Sequence, residues 1–531
     1  MRVFFRCWVA LAILVAVPSC SADVPPGELR IGMNINALRD WGTAFPFVDV
    51  FHASRPLDSE EGGGVTLDAH GWIQRLARGR VAVSPVLFDI APGRVIAGDY
   101  VVRWRGKGKL AFDCASLRQG DGSHHRAVIH IDGKDDCGLY LKVLASDPAD
   151  PVRDIRVTLP GGICRGQPFK TVSAADQCPS GQYLSFEAHA DSILFNPAYL
   201  TYLRDFPVLR FMDAMETNSR EHVQRTWRDR PSMQDATWQK RGWPVEVMVA
   251  LANRVGADPW FTMPHAADDA YVRQFAQYVR QHLDGDRKVY IEYSNEVWNG
   301  IFPQHDYAVE QGRKLRLDRD EDVAGWKFYS RRSVEIFDIW SSVFGQQKDR
   351  LVRVMATQAV NDYMTRLLLD YQQAWKHVDA LAVAAYFGGD AGAGDVDRVR
   401  KMSKDRFFAY LQKVEIPRIA KEYRMNAAIA RKFGLSLIAY EGGQHLVGVG
   451  PAVDDARLTQ RFMEANRDPR MESLYLAMYR AWKQAGGDLF MHYSGPGQYS
   501  KWGSWGIKEY LLQPEAQAPK YRATLKAMRG L

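Results

Sequence analysis

Cysteine is scarce in this chain, and its placement narrows the compartment in which the protein works. Six cysteines occur among 531 residues, and four of them lie within one stretch of 65 residues. No Cys-x2-Cys or Cys/His spacing accompanies them, so the pattern does not favour a zinc site. An even number of neighbouring cysteines instead predicts two disulfides and export to an oxidising compartment. Three pairings are open, of which we favour Cys114–Cys137 with Cys164–Cys178.

Long apolar runs and runs of like charge are also missing. No internal stretch reaches the roughly 18 apolar residues that span a bilayer, which argues against a transmembrane protein. Lys and Arg exceed Asp and Glu by 69 to 62, but without the basic cluster that nucleic-acid binding requires. The Gly-rich stretch 388–394 lacks the spacing of a nucleotide site, and we expect neither a cofactor nor a metal. A Gly-x-Ser-x-Gly elbow is absent too, which disfavours an esterase.

The N-terminus has the three parts of a secretory signal peptide. A basic start is followed by ten apolar, uncharged residues and then by a short run of small residues that ends at Ala22. We predict cleavage after Ala22, so that residues 1–22 direct the protein to the periplasm or the medium. The residues before Cys20 also resemble a lipobox, which makes an outer-membrane lipoprotein anchored at Cys20 the alternative.

The rest of the chain shows two different sequence patterns. From about residue 62 to residue 160, short runs rich in β-branched and aromatic residues alternate with Gly, Asp and Pro turns, which predicts a β-sandwich. After Phe195, seven strands alternate with helices, and an isolated earlier strand makes eight. This alternation predicts an α/β fold, a closed (β/α)8 or TIM barrel. The eight strands are predicted at 28–36, 208–213, 258–265, 288–296, 352–359, 379–386, 436–443 and 488–495.

The β-rich segment therefore interrupts the barrel between its first and second strands. Such connections open at the C-terminal face, where barrel enzymes keep their active sites. We accordingly expect the inserted β-sandwich to lie beside the site. After the signal peptide, the predicted division is 23–61 with the first barrel strand and a linker, 62–190 with the inserted β-sandwich and a Cys-containing loop, and 191–531 with the remainder of the catalytic barrel.

Polar and ionisable residues end most of the predicted barrel strands, and two carboxylates dominate them. Glu296 ends the fourth strand and Glu441 ends the seventh. These strands lie on facing parts of an eight-stranded barrel, so the two side chains can meet across its mouth. Glycosidic cleavage needs such a pair, because one carboxyl protonates the leaving oxygen while the other attacks the anomeric carbon. Each also helps to set the other's pKa, since neighbouring carboxyls resist double ionisation.

The segments around these carboxylates resemble clan A retaining glycoside hydrolases. YSNEVWN (293–299) is similar to the clan's strand-four Asn-Glu motif, and AYEGGQH (439–445) to its strand-seven nucleophile segment. Nearly the whole mature chain also resembles secreted bacterial proteins described as cellulose-binding or cellulase-like. The resemblance implies a TIM barrel and a retaining glycosidase acting on an extracellular or envelope polysaccharide, with a β-glycan as the expected substrate. The segments that carry this second likeness are 40–56, 196–218, 244–265 and 289–300.

The resemblance also implies roles for single residues. Glu296 would be the protonated acid/base and Glu441 the ionised nucleophile. Asn295 would bond the sugar 2-hydroxyl, and Tyr386 would hold Glu441. The clan's strand-eight Trp is missing at the strand end, where Tyr493 stands. The further candidates for substrate binding are Arg210, His265, Trp298, Trp41, Trp243 and, as possible replacements for the missing Trp, Trp502 and Trp505; Trp260 lies within a strand and is expected in the core.

A non-catalytic carbohydrate-binding protein is the alternative function. In that case the inserted sandwich would carry the binding site, and the barrel would be a scaffold. Such a protein would need neither Glu296 nor Glu441. We therefore favour hydrolysis of an oligosaccharide or polysaccharide.

Overall fold

A computed structural model describes residues 28–531, so the predicted signal peptide and the alternative anchor at Cys20 lie outside the described residues. Strands and helices are numbered here in chain order. The strands are β1 (Ile31–Asn34), β2 (Asp58–Ser59), β3 (Val65–Leu67), β4 (Ile73–Leu76), β5 (Ala82–Phe88), β6 (Gly98–Arg105), β7 (Gly108–Asp113), β8 (Ser116–Gln119), β9 (Arg126–Ile131), β10 (Cys137–Ser146), β11 (Arg153–Thr158), β12 (Gly162–Cys164), β13 (Tyr183–Ser185), β14 (Val208–Arg210), β15 (Asp258–Met263), β16 (Val289–Tyr293), β17 (Leu351–Thr357), β18 (Ala380–Phe387), β19 (Ser436–Gln444) and β20 (Phe490–His492). The α-helices are α1 (Phe186–Ile193), α2 (Pro197–Leu203), α3 (Val245–Val255), α4 (Asp269–His282), α5 (Pro303–Lys314), α6 (Glu321–Phe344), α7 (Asp362–Asp370), α8 (Gly389–Gly392), α9 (Val396–Lys401), α10 (Lys404–Tyr410), α11 (Ile416–Lys432), α12 (Ala456–Arg467), α13 (Arg470–Ala485) and α14 (Pro519–Arg529).

Eight parallel strands close into a barrel in the order β1, β14, β15, β16, β17, β18, β19, β20. The barrel closes because β1 pairs with β14 on one side and with β20 on the other. Each strand lies within one residue of its predicted range. The predicted TIM barrel is therefore confirmed.

Large and small side chains alternate in the barrel interior. The aromatic rings of Trp260 and Tyr290 stack there at 5.4 Å, and alanines of β17 and β18 leave room for them. Outside the barrel, amphipathic helices bury one face against the strands. In α4, for example, Phe275 packs edge-on against Phe261 of β15 at 5.1 Å. This is the two-layer packing that a barrel of alternating strands and helices requires.

Two four-stranded antiparallel sheets lie between β1 and β14 in the chain, with the orders β2-β5-β10-β7 and β11-β6-β9-β8. We call them the inserted sheets. Alternate residues of β6 (Tyr100, Val102 and Trp104) are buried, while their neighbours are more exposed, so one face of that sheet is covered. The two disulfides are Cys114–Cys137 and Cys164–Cys178, the pairing that we favoured.

Loops of the barrel and of the inserted sheets are hydrogen-bonded to each other. The Leu159 amide, just after β11, donates to the Val48 carbonyl at 2.8 Å, and the Phe88 amide donates to the Asp40 carbonyl at 3.1 Å. The inserted sheets are thus attached to the connection that follows β1. None of the helices within residues 28–531 combines the length and the apolar character that a membrane span requires.

Candidate active site

Glu296 stands beyond the end of β16, where the backbone leaves the sheet sharply. Ser294 and Glu296 have φ values of 57° and 41°, a left-handed region that residues other than glycine rarely occupy. Strain of this kind is concentrated at functional sites. The Glu296 carboxylate accepts hydrogen bonds from the Tyr440 hydroxyl at 2.7 Å and from the Asn299 amide at 2.8 Å. The side chain is thus held on both oxygens.

Glu441 lies within β19, at a point where the strand is irregular. The register with β18 shifts by one residue at Tyr440, so that β19 carries a bulge there. Bulges change the direction in which side chains point. This bulge lets the successive residues Tyr440 and Glu441 both contribute to the mouth of the barrel. The Glu441 side chain is 12% exposed, and the neighbouring Tyr386 hydroxyl acts to lower its pKa.

Glu296 lies close enough to Glu441 to raise its pKa. Burial, and after it the charge of Glu296, raise the pKa of Glu441 to about 8, while Arg210 and the hydrogen bond from Tyr386 act in the opposite direction. This raised pKa favours a proton on Glu441 near neutral pH in the substrate-free site. The ionised Glu441 of the reacting enzyme stays a prediction.

Arg210, at the end of β14, occupies the centre of the barrel mouth with its side chain completely buried. Its Nε and Nη2 atoms donate to Glu292 Oε2 at 3.1 and 2.9 Å. Nη2 also donates to Asn295 at 2.9 Å, and Nη1 donates to Asn34 at 3.2 Å. Nη1 lies 3.6 Å from Glu441 Oε2. One guanidinium therefore connects the ends of β1, β14 and β16 to a carboxylate on β19.

Glu292 and Tyr440 are site residues that the sequence analysis missed. Glu292 lies within β16, fully buried, and Trp260 Nε1 donates to it at 2.9 Å beside the Arg210 pair. Glu292 could have been predicted from the sequence. A buried arginine needs a buried carboxylate, and Glu292 lies two residues from Tyr290, on the same inward face of β16. Tyr440 could not have been predicted in this way. Successive side chains of a regular strand point to opposite faces, so Tyr440 and Glu441 can reach one site only because of the bulge.

Tyr386 and Tyr493 lie near Glu441 and form an aromatic cluster with Trp505. Tyr386, Tyr493 and Trp505 lie edge-on to one another, with ring centres 5.8 to 6.5 Å apart. Trp505 thus stands in the inner wall of the site, where a replacement for the clan's strand-eight Trp was sought. Trp502 is 66% exposed and lies further out.

Trp298 and His265 differ in how closely they approach the carboxylates. Trp298 is half-buried two residues beyond Glu296, and its ring lies edge-on to Tyr440 at 6.4 Å. His265 is buried 5.3 Å from the ring of Tyr307, and burial lowers its pKa to about 4. The contacts found within residues 28–531 connect His265 to neither carboxylate. Trp298 is therefore the better placed of the two candidates.

The remaining tryptophans divide between surface and core. Trp41, in the loop after β1, is 40% exposed. Trp260 is buried inside the barrel, as expected. Trp243 is buried as well and packs against Phe47 at 4.8 Å. It is 1% exposed yet belongs to the lining of the cavity described below, so its role in sugar stacking stays a prediction.

A cavity of about 960 Å³ opens between the loops after β1 and β20 and the inserted sheets, and neither Glu296 nor Glu441 is among its lining residues. Asp213, Tyr493 and Trp505 line its inner part, and Tyr493 is hydrogen-bonded to Asp213. Trp41 and Trp502 line its outer part. Loops of the inserted sheets contribute to the same lining. A substrate-sized space thus lies next to Tyr493 and Trp505, with barrel and inserted sheets on its walls.

Comparison with known proteins yields matches among solved structures alone. No protein-family model matches the chain, and no curated protein matches it. A 4-O-α-L-rhamnosyl-β-D-glucuronidase from Fusarium oxysporum is 12% identical over 61% of this chain and 61% of its own, with a TM-score of 0.36. A modular endo-β-1,4-mannanase of glycoside hydrolase family 26 from Cellulomonas fimi is 12% identical over 60% and 62%, with a TM-score of 0.35. A Bacteroidetes-affiliated family 5 cellulase is 10% identical over 62% and 85%, with a TM-score of 0.36.

This chain therefore spans less than two thirds of the first two of those structures. All three are glycoside hydrolases by name. At such identities and TM-scores the likeness carries no chemistry over to this protein. Its chemistry has to be inferred from its own residues.

Replacement of Arg210 should destabilise the fold strongly. Arg210→Gln leaves Glu292 buried without its cation, and we expect the free energy of unfolding to fall by about 3–5 kcal/mol. The measurement is denaturant or thermal unfolding. Arg331→Gln is the control, since Arg331 pairs with Glu335 on the surface and exposed pairs contribute about 1 kcal/mol at most. Equal losses in both variants would contradict the assigned role of Arg210.

The raised pKa of Glu441 predicts a pH dependence of stability. The folded protein keeps a proton on Glu441 up to pH about 8, whereas the unfolded chain releases it near 4.5. The free energy of unfolding should therefore fall as pH rises between these values, by at most about 1.4 kcal/mol per unit. Glu441→Gln removes this dependence, so its Tm should gain on wild type up to pH about 8 and no further.

The control for this titration is Glu310→Gln, because Glu310 lies on the surface of α5 beside Lys314. Its Tm should show no such gain on wild type over the same pH range. A constant difference in Tm between Glu441→Gln and wild type would refute the raised pKa.

Proposed function

We propose that this protein is a retaining glycoside hydrolase that cleaves a β-glycan of extracellular or envelope origin. The observation that carries the proposal is the pair Glu296 and Glu441. Glu296 follows the fourth strand of a closed barrel and Glu441 lies in the seventh, and the charge of Glu296 raises the pKa of Glu441. A pair that holds one proton supplies the acid and the nucleophile that glycosidic cleavage needs.

In the first step Glu296 donates its proton to the glycosidic oxygen while Glu441 attacks the anomeric carbon. The bond from that carbon to the leaving oxygen breaks, and a bond to a Glu441 oxygen forms. The shared proton must then reside on Glu296 when substrate is bound. Arg210, 3.6 Å from Glu441 Oε2, favours the charge on Glu441. The Tyr386 hydroxyl acts in the same sense.

In the second step the Glu296 carboxylate takes a proton from water, and the oxygen of that water attacks the anomeric carbon. The bond to Glu441 breaks, and the sugar leaves with its original anomeric configuration. Asn295 is proposed to bond the sugar 2-hydroxyl. Its Oδ1 is engaged by Arg210, and its Nδ2 donates to Asn218 at 3.3 Å. One N–H of the amide is therefore left for the sugar.

We further propose the division of the chain and its export. Residues 1–22 would be a signal peptide, 23–61 the first barrel strand and linker, 62–190 a β-sandwich built from the inserted sheets with the Cys-containing loop, and 191–531 the rest of the catalytic barrel. The two disulfides support an oxidising compartment, the periplasm or the medium. Lipid attachment at Cys20 remains the alternative to cleavage after Ala22.

A glycan panel analysed by mass spectrometry tests the proposed function. Wild type should release products from at least one β-glycan. Glu296→Gln and Glu441→Gln should each reduce that turnover by 10²-fold or more, because each removes a group that acts on the reacting bond. Glu310→Gln, an exposed carboxylate change, should keep wild-type turnover. Retention of a tenth of the activity or more by either active-site variant would refute the assignment.

The stereochemistry of the product tests the mechanism. A retaining enzyme has its carboxyl groups about 5–5.5 Å apart, while an inverting one leaves about 6.5–9.5 Å for a water molecule. We expect proton NMR of early hydrolysis to show the anomer of the substrate, and a 2-fluoro sugar to label Glu441. First appearance of the opposite anomer would rule out double displacement. Labelling of Glu296 instead would exchange the two roles.

A further inference from the structure

Glu296 is hydrogen-bonded to the strand that carries Glu441. The Tyr440 hydroxyl donates to Glu296 Oε1 at 2.7 Å, and the residue that follows Tyr440 in β19 is Glu441. The bulge at Tyr440 makes this possible, because a regular strand would direct one of these two neighbours away from the site. The position of Glu296 relative to Glu441 therefore depends on one tyrosine.

Other parts of the barrel hold Tyr440 in place. Its side chain is buried among the residues of the barrel interior. The guanidinium carbon of Arg210 lies 5.1 Å from the centre of its ring, and Trp298 packs edge-on to that ring at 6.4 Å. The Tyr440 carbonyl accepts a hydrogen bond from Asn34 Nδ2 at 3.1 Å. The hydroxyl is thus presented to Glu296 from a fixed position.

The Tyr440 hydroxyl keeps its own proton and acts as a donor. Burial, and after it the charges of Glu296 and Glu441, raise the pKa of Tyr440 well above its ordinary value. A hydrogen bond to the charged form of a carboxyl group favours that form, and bonds to an ionised acceptor are about twice as strong as those between neutral groups. Tyr440 therefore stabilises a Glu296 carboxylate more than it stabilises the neutral acid.

The two oxygens of Glu296 have partners of different chemistry. Asn299 Nδ2 donates to Oε2 at 2.8 Å. The Oδ1 atom of Asn299 accepts from the Ile301 amide at 3.3 Å, which fixes the orientation of the side-chain amide. An amide nitrogen can only donate, whereas a tyrosine hydroxyl can donate and accept. Oε2 therefore remains an acceptor when Glu296 is protonated, and the proton belongs on Oε1 beside Tyr440.

Several charged and titratable groups face Glu296 besides its hydrogen-bond donors. Among the hydrogen bonds found in residues 28–531, however, only those from Tyr440 and Asn299 reach its carboxylate. Removing the Tyr440 hydroxyl would therefore take away one of the two direct bonds and leave the surrounding charges in place. The groups around Glu296 are Arg210 at the end of β14, Glu292 on β16, Tyr386 on β18, Tyr440 and Glu441 on β19, and His445 directly after β19.

We propose that Tyr440 is a positioning residue for proton transfer, which presents Oε1 of Glu296 as the proton-carrying oxygen and stabilises the carboxylate that forms when the proton leaves. The inference rests on the proposed function, which supplies the acid role of Glu296. In the first step the bond between Oε1 and its proton breaks, and the proton passes to the glycosidic oxygen, which keeps the electron pair of its broken bond to the anomeric carbon. Tyr440 keeps its own proton, and its hydrogen bond to Oε1 strengthens as the charge develops.

A titration without substrate tests the effect of Tyr440 on Glu296. In protein labelled with ¹³C at the Cδ atom of glutamate, NMR follows the ionisation of each carboxyl group, and the signal that is missing from Glu296→Gln identifies Glu296. In Tyr440→Phe this signal should titrate at a pH about one unit higher than in wild type, because the lost bond favours the charged form. Tyr479→Phe is the control and should cause no such change, since the buried Tyr479 hydroxyl is bonded to Thr524 between α13 and α14.

The hydrolysis of two aryl glycosides tests the role of Tyr440 in the reaction. Phenolate is a poor leaving group that needs a proton from the acid, whereas 2,4-dinitrophenolate departs without one. The probes are the phenyl and 2,4-dinitrophenyl glycosides of β-cellobiose and of β-mannobiose, and the quantity compared is kcat/KM. Tyr440→Phe should lower it about tenfold for the phenyl glycoside and less than about twofold for the dinitrophenyl glycoside. The ratio of the two values does not depend on how much of the variant is folded, and Tyr479→Phe should leave it unchanged.

Two results would overturn the inference: an unmoved Glu296 titration in Tyr440→Phe, or equal losses of kcat/KM on both aryl glycosides. If wild type cleaves neither aryl glycoside, the titration alone decides. The two proposals fail separately. Hydrolysis by wild type together with an unmoved titration would remove this inference and leave the proposed function. A shifted titration in a protein that cleaves no glycan of the panel would remove the proposed function and leave the effect of Tyr440 on Glu296.

Discussion

The ion pair between Arg210 and Glu292 is the interaction on which the rest of the site depends. Both side chains are completely removed from solvent, and burial works against their charges. Glu292 and Glu441 nevertheless keep the pKa of Arg210 above its ordinary value. A buried cation that is satisfied in this way is hard to displace, because losing either partner strands the other. Its remaining donors fix Asn34 and Asn295, so the mouth of the barrel has one arrangement.

The carboxylates and the cavity are built by different parts of the chain. Glu296 follows β16 and Glu441 lies in β19, with supporting groups on β14 and β18, all within the barrel. The walls of the cavity come from loops, and one of them belongs to the inserted sheets. Loops at the C-terminal face of a barrel can vary while its strands stay fixed, so the cavity walls can change without moving the strands that hold Glu296 and Glu441.

The sequence predicted the barrel and its strand ends well, because alternating strands and helices leave a strong periodic signal. Glu296 and Glu441 stood out for the same reason. Tyr440 was not predictable, since its role depends on a bulge that one residue creates in β19. Glu292 could have been inferred only by asking what partners a buried Arg210. The raised pKa of Glu441 was not predicted, because it comes mainly from burial, and burial is not visible in a sequence.

The pairing of β1 has a consequence for how the chain reaches its folded state. Met33 pairs with Leu209 on one side, and Ile31 pairs with Phe490 on the other. The first barrel strand to be synthesised, β1, can therefore have both of its edges paired only after nearly the whole chain has been made. Contacts so distant in sequence form slowly, and uncovered strand edges invite association between chains. The inserted sheets, whose strands are near neighbours in sequence, can form meanwhile and keep β1 attached to a folded unit.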